Sequence, residues 1–348
     1  MKWIPFELHT HTPHSDGKHT LLEMCREAKR LGIRGIALTD HNTMSGMSEA
    51  RAVQEETDVV ILPGMEWTTF YGHMLTIGAP YCDWRDLGPK DIHKGINRVH
   101  QAGGIVGIAH PYRMGSPICT GCHWEYEVKD WNDVDYMEVW HELTPSLKRH
   151  NSQALQQWTT LLDEGYRITA TAGRDWHHSA THNEWPAVTY IELPEEWEDS
   201  AAESVVHAIA QGRCMPSMGP LLLMEAVMGE SRYSVGDEIP INEDSEQTVT
   251  LQIRIVMSES FVPYGNELLV TRVVVESNNG VLLDQLWNEE QTQIAQQVEL
   301  GSIRWLRAKA MGVMQEVYTT LVFTNPIYVR MMQSEAAEEE MYGCRTIE

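Results

Sequence analysis

ELHTHTPHSDG, residues 7–17, sets two imidazoles two positions apart at the end of an apolar run. On an extended strand residues i and i+2 point the same way, so His9 and His11 can reach one cation. Asp16 follows in a Ser-Asp-Gly turn, where Gly17 permits a tight return. The arrangement recurs outward from this stretch. His41 closes GIALTDHNT (35–43), Glu66 closes VVILPGMEW (59–67), and His73 stands in YGHMLTIG (71–78). His110 closes GIVGIAHPY (104–112), and Asp175 and His177 close ITATAGRDWH (168–177). Short apolar runs read as buried parallel strands. In barrel-like α/β enzymes the chemistry gathers at the carboxyl ends of such strands. Nine metal-ligand-type side chains are therefore expected to meet at one rim. Mixed nitrogen and oxygen donors suit Zn, Mn or Fe(II), and nine of them suit a site of two or three divalent ions.

Apolar runs near residues 4–8, 33–38, 59–63, 74–78, 105–109, 134–140 and 167–172 predict seven strands. Amphipathic segments over 21–31, 44–56, 91–101 and 147–164 predict helices between them. This alternation implies βα units and a parallel sheet closed, or nearly closed, into a barrel over residues 1–218. The pattern changes after Gly219-Pro220. TVTLQIRIVM and ELLVTRVVVES alternate with period two, and Asn279-Gly280 follows as a type I′ hairpin signal. Residues 219–332 are expected to form a small antiparallel β-sandwich, and 333–348 an acidic tail.

The composition narrows the partners. The 348 residues are 42% hydrophobic, enough for a sizeable core, and carry 26 basic against 50 acidic groups, 26 − 50 = −24. Nucleic-acid backbones are held by Lys and Arg, so a small-molecule substrate is expected rather than DNA or RNA. The N-terminal MKWIPFEL has no signal-peptide character, and no run nears the ~20 apolar residues of a membrane span. A soluble cytoplasmic chain is expected, with no membrane partner; the oligomeric state is not legible. The six cysteines are too irregular for a disulfide framework. Cys119 and Cys122, with His123 beside them, lack the second pair that a zinc ribbon needs and are expected to hold no ion.

The motifs HTHTPHSDG, TDHNT, GMEW, GH, AHP and GRDWH resemble, in order, those of the PHP family, the metallohydrolases named for polymerase and histidinol phosphatase. Asp16 in the first motif and the ending TNPIYV look like the amidohydrolase-like and carbaryl-hydrolase-like branch. The resemblance implies a distorted (β/α)7 barrel. It also implies one ion on His9, His11, Glu66 and Asp175; a second on Glu66, His73 and His110; and a third on Asp16, His41 and His177. Glu66 would be the bridging carboxylate. A hydroxide held between two cations is a nucleophile at neutral pH, so hydrolysis of a small phosphate ester fits best. Arg113 and Arg174 are candidate bidentate contacts to the phosphate. Asp40 could orient His41 or protonate a leaving group. Trp176, where a small residue is common, is expected to narrow the site. The segment 113–131 is long enough to cover the site as a lid, and Glu138 and His141 are expected to support ligands rather than ligate. His14 and His19 are expected to be exposed. Two alternatives stand beside the phosphoesterase: a hydrolase of a neutral carboxylic ester or carbamate, and a non-catalytic glycan- or protein-binding protein.

Overall fold

The computed structural model describes residues 1–114, 122–178, 186–242, 247–257, 268–288 and 290–332. Cys119, His182, the middle of the expected lid and the acidic tail lie outside them. The fold is mixed α/β and rich in strands.

The first part runs β1 (Lys2–Thr10), α1 (Leu21–Arg30), β2 (Gly35–Leu38), α2 (Met47–Thr57), β3 (Val60–Thr69), β4 (Gly72–Ile77), α3 (Ile92–Gln101), β5 (Ile105–Ile108), β6 (Tyr136–His141), α4 (Arg149–Glu164) and β7 (Thr169–Gly173). Each expected helix is present. α1 starts on a capping box: the Thr20 side chain accepts from the Glu23 N–H, and the Glu23 carboxylate accepts from the Thr20 N–H. Its Leu21, Met24, Cys25 and Ala28 are buried, the helical spacing of one apolar face.

β1, β2 and β3 pair in parallel, as do β5, β6 and β7. β4 does not follow that pattern. It is antiparallel to both β3 and β5, because only Phe70 and Tyr71 separate it from β3. A two-residue link can close a hairpin but cannot carry a crossover. The reversal matters for the site. His73 begins its strand, so the amino end of β4 meets the carboxyl ends of the others. Beyond β7, Trp176 bonds back to β1: its N–H donates to the His9 carbonyl at 2.9 Å, and the His11 N–H donates to its carbonyl at 3.0 Å. The ends of the first and last strands thus meet at the rim.

Three elements were not anticipated: β8 (Val188–Leu193), α5 (Ala201–Ala210) and β9 (Cys214–Ser217). β8 lies antiparallel on the other side of β1, and β9 on β8.

The second part contributes β10 (Pro220–Met228), β11 (Ser231–Ser234), β12 (Glu238–Asn242), β13 (Thr248–Met257), β14 (Leu268–Ser277), β15 (Gly280–Leu286), β16 (Ile294–Glu299), β17 (Trp305–Met314), β18 (Val317–Phe323) and β19 (Ile327–Met332). β10, β11, β13 and β16 form one antiparallel sheet. The others continue the large sheet, which reaches the first part through the Val322–Ser217 pairing of β18 and β9. Pairing here is not wholly antiparallel, since β12 and β19 run parallel.

β14 and β15 form the hairpin expected at Asn279-Gly280, but its turn is not type I′. Ser277 pairs with Gly280, and Gly280 alone takes positive φ, +99°, so the link is a turn ending on a left-handed glycine. The two-residue loop with positive φ at both positions is Gln315-Glu316, at 47° and 64°, between β17 and β18. One hydrophobic cluster runs from Leu21 and Trp67 to Trp305 and Tyr328, so both parts share a core.

Candidate metal centre

Glu66, fully buried near the end of β3, lies within 3.3 Å of five imidazoles. Its Oε2 is 3.2 Å from His9 Nε2, 3.3 Å from His11 Nε2 and 2.8 Å from His41 Nδ1. Its Oε1 is 2.8 Å from His73 Nδ1 and 3.3 Å from His110 Nε2. Asp175 Oδ1 stands 2.9 Å from His11 Nε2 and 3.3 Å from both His9 Nε2 and His177 Nδ1. Asp16 Oδ1 stands 3.1 Å from His177 Nε2 and 3.5 Å from His41 Nε2. All nine candidates thus meet at one place. They divide into overlapping groups able to hold an ion: His9, His11, Glu66 and Asp175; Glu66, His73 and His110; and His11, Asp16, His41 and His177.

Backbone strain marks the same rim. His110 and Asp175 hold φ of +30° and +54°, and such residues cost about 1–3 kcal/mol each and persist only where the surroundings impose the conformation. Gly17 is obligatory for another reason. A Cβ there would lie 2.1 Å from the His11 carbonyl oxygen.

The electrostatics suit cations. Burial pushes the Glu66 carboxyl up, but the charges of His9, His73 and His41 outweigh it and hold the group well below the usual range. Asp175 is likewise raised by burial and brought well below by His9 and His11. Burial would depress His9, yet Glu138, Glu66 and Asp175 raise it well above an ordinary histidine. His9 Nε2, both ring nitrogens of His11, Glu66 Oε2, His73 Nε2 and Asp175 Oδ1 are buried without a formed hydrogen bond. Buried polar atoms are otherwise almost always paired. A donor set of imidazoles and carboxylates left in this state fits divalent ions.

Other expectations fare differently. Asp40 does not orient His41: its Oδ1 accepts from the Thr12 N–H and the Ser15 hydroxyl, and its Oδ2 from the Thr12 hydroxyl, each at 2.7 Å. Neighbours on extended backbone face opposite ways, so Asp40 pins the loop that carries Asp16 instead. Arg113 lines the mouth, but its Nη1 donates to Asp175 Oδ2 at 2.9 Å and its Nε pairs with Glu142 at 3.0 Å. Arg174 also lines the mouth; its guanidinium lies 3.5 Å over the Trp176 ring, with Nε 3.8 Å from Glu7. Trp176 supports that arginine and the β1 contact, is nearly fully buried, and does not plug the cavity of about 580 Å³. His19 is buried, not exposed, because it packs edge-on against Trp176. His14 is partly exposed and bonds Ser45 and Glu49. Cys122 is disulfide-bonded, and its carbonyl accepts from His110 Nδ1 at 3.3 Å.

Glu142 was missed. It follows β6 with φ +66°, the backbone signature of His110 and Asp175, and pairs with Arg113 and Lys148. Glu7 was missed too: fully buried, it accepts from the His9 and Arg174 N–H groups, and burial raises it to about 7. The charge pattern of the sequence carries no signal for either.

Comparison with known proteins agrees with this geometry. An uncharacterized protein of Methanocaldococcus jannaschii is 28% identical over 146 residues, 39% of this chain and 82% of that protein. A phosphoribosyl 1,2-cyclic phosphate 1,2-diphosphodiesterase of Eggerthella lenta is 31% identical over 64 residues, 18% of this chain but only 24% of the enzyme. A crystal structure from Bacteroides vulgatus, described as a two-domain protein containing a predicted PHP-like metal-dependent phosphoesterase, matches with a TM-score of 0.53 at 15% identity, over 94% of this chain and 95% of that one. That likeness speaks to the fold. Residues 7–155 match the PHP domain model, a span that ends short of Asp175 and His177. Over that span the chain is similar to the PHP domain, and its clustered histidines and carboxylates are groups able to bind metal.

Proposed function

We propose that the protein is a metal-dependent phosphoesterase acting on a small phosphate ester with two or three divalent ions, Zn, Mn or Fe. The observation that carries this reading is the convergence of five imidazoles on the buried Glu66 carboxylate. His9, His11, Glu66 and Asp175 would hold one ion, Glu66, His73 and His110 a second, and Asp16, His41 and His177 a third. Bound ions would supply Lewis acidity and lower the pKa of water. Glu66 offers one oxygen to each of two clusters and would offset repulsion between ions held there. Arg113 braces Asp175, and Arg174 at the mouth is the candidate contact to a phosphate oxygen. The strand ring β1–β7 is read as the distorted (β/α)7 barrel, residues 219–332 as a β-sandwich against it. Asp16 and TNPIYV support the amidohydrolase-like and carbaryl-hydrolase-like branch. The charge of −24 supports a small substrate over nucleic acid.

A neutral carboxylic ester or carbamate is the second reading. It is favoured by the engagement of Arg113 with Asp175 and Glu142, which leaves Arg174 as the main cationic contact. The test is the pair of specificity constants for p-nitrophenyl phosphate and p-nitrophenyl acetate, in Mn-loaded wild type and Arg174→Ala, with an oligoribonucleotide as a third substrate. Loss of a charge-assisted contact worth about 1.5–3 kcal/mol lowers phosphate turnover roughly tenfold to a hundredfold and spares the acetate. An equal loss on both makes Arg174 structural, and turnover of the acetate alone makes the protein a carboxylic esterase.

A further inference from the structure

Glu138 stands on β6 beneath the cluster, 1% exposed. Its Oε1 accepts from His9 Nδ1 at 3.0 Å. Its Oε2 accepts from the His110 main-chain N–H at 3.0 Å and from His141 Nδ1 at 3.0 Å. The main-chain N–H can only donate, so three donors converge on one carboxylate. Gly173 of β7 makes the space for it: a Cβ at that position would lie 2.0 Å from Glu138 Oε1.

Two of the three partners belong to different clusters. With Nδ1 donating to Glu138, His9 turns Nε2 toward Glu66 and Asp175, at 3.2 and 3.3 Å. His110 has a main chain strained to φ +30°, and the bond from its N–H holds that conformation. Its Nε2 then lies 3.3 Å from Glu66 Oε1. We propose that Glu138 is a positioning residue that couples two ion sites, fixing the ring of His9 for one and the main chain of His110 for the other. The inference rests on the metal-centre reading above. The rival role is direct ligation, because His9, His110 and Glu138 also lie close enough to share an ion. The ring geometry argues against it: His9 presents Nδ1 to Glu138 and Nε2 to the rim, and both Glu138 oxygens already accept hydrogen bonds. Groups that orient metal-bound histidines typically change metal affinity about 10–100-fold when altered.

The experiment is cadmium-113 NMR on the full chain titrated with cadmium, one signal per bound ion, comparing wild type, Glu138→Asp and Glu138→Gln. Glu138→Asp keeps the charge but shortens the reach. Glu138→Gln keeps the length but sets an amide NH2 among three donors. The expected result is that the ions on the His9 cluster and on the His73–His110 cluster weaken together, each by about 10–100-fold, while the Asp16–His41–His177 signal keeps its midpoint. Glu138→Asp decides the matter if Glu138→Gln does not fold. Loss at one site only, equal loss at every site, or no loss overturns the coupling. A further wild-type signal that vanishes in Glu138→Gln makes Glu138 a ligand and overturns it too. Wild type that binds no cadmium overturns the metal centre itself, a result distinct from wild type that binds normally beside unaffected variants.

Discussion

On the rim, six buried atoms of His9, His11, Glu66, His73 and Asp175 lack a formed hydrogen bond. In β17, the equally secluded Arg307 is bonded through all three guanidinium nitrogens: Nε and Nη2 to Glu276 at 3.0 and 2.9 Å, Nη1 to Thr159 at 2.9 Å. Trp158 and Trp305 flank it, each ring centre 5.0 Å away. An unsatisfied buried group costs about 1–3 kcal/mol, and a strained residue a similar amount. The rim concentrates both costs, with His110, Glu142, Thr144 and Asp175 at positive φ. Among the described residues, the second part satisfies its buried charge within the chain. One region therefore contributes stability, and the other holds donors in readiness for a partner from outside.

The largest break of that contrast is Glu66→Gln. A neutral amide bridges two cations poorly, so metal content by elemental analysis and turnover should fall together, turnover by at least about a thousandfold. Full metal content in this variant would remove Glu66 from the bridging role.

Chelation should act on stability as well. An ion present at a thousandfold its dissociation constant stabilises by about 4 kcal/mol. Calorimetry with and without chelator should therefore show a clear drop in Tm, reversed by adding metal back. An unchanged Tm would mean that the unpaired rim atoms are not waiting for cations.

Trp305→Ala probes the other side. Trp305 is 2% exposed and its Nε1 donates to Asp163. Truncation of a buried tryptophan costs about 3–5 kcal/mol. Denaturant melts should register that loss while kcat/KM per folded molecule stays level; a matching loss of activity would show that the two regions are not separate in function.

The smallest effect sits at the Gln315-Glu316 loop. Both residues hold positive φ without glycine or asparagine. Replacing the pair with Asn-Gly should stabilise by about 0.5–1 kcal/mol, read as a modest rise in the urea midpoint. A lower midpoint would mean that these side chains make contacts outweighing the backbone relief.

Much of the rim was legible because a ligand after an apolar run is a local pattern: His41, His110 and Asp175 each stand just beyond the end of a strand, and Glu66, near the end of β3, follows its apolar stretch. The four expected helices were legible for the same reason, since amphipathic spacing needs no partner to be seen. Strand direction was not carried by the apolar runs. The direction of β4 lay instead in the length of its link, the two residues Phe70 and Tyr71. Glu138 was legible as a supporting residue, but the roles of Asp40 and Glu142 were beyond reach because they depend on partners 25 or more residues away, Ser15 and Arg113. A carboxylate in a sequence does not announce which far residue it will meet. β8 and β9 were missed although VTYIEL is apolar, because the place of β8 beside β1, and of β9 beside β8, is set by tertiary pairing.

Asn325, fully buried, lies just after β18 and reaches the back of β7. Its Oδ1 accepts from the Ala170 N–H at 2.7 Å, and its Nδ2 donates to the carbonyls of Ala170 at 2.9 Å and Cys214 at 2.8 Å. A side-chain amide thus does the stitching of a missing peptide unit between β7 and β9. The strand it stitches leads within two residues to Asp175. As a building block, the first part is not portable: cut at residue 218 and moved to another context, it would carry an open seam behind Asp175, and any graft would have to bring a replacement amide with it.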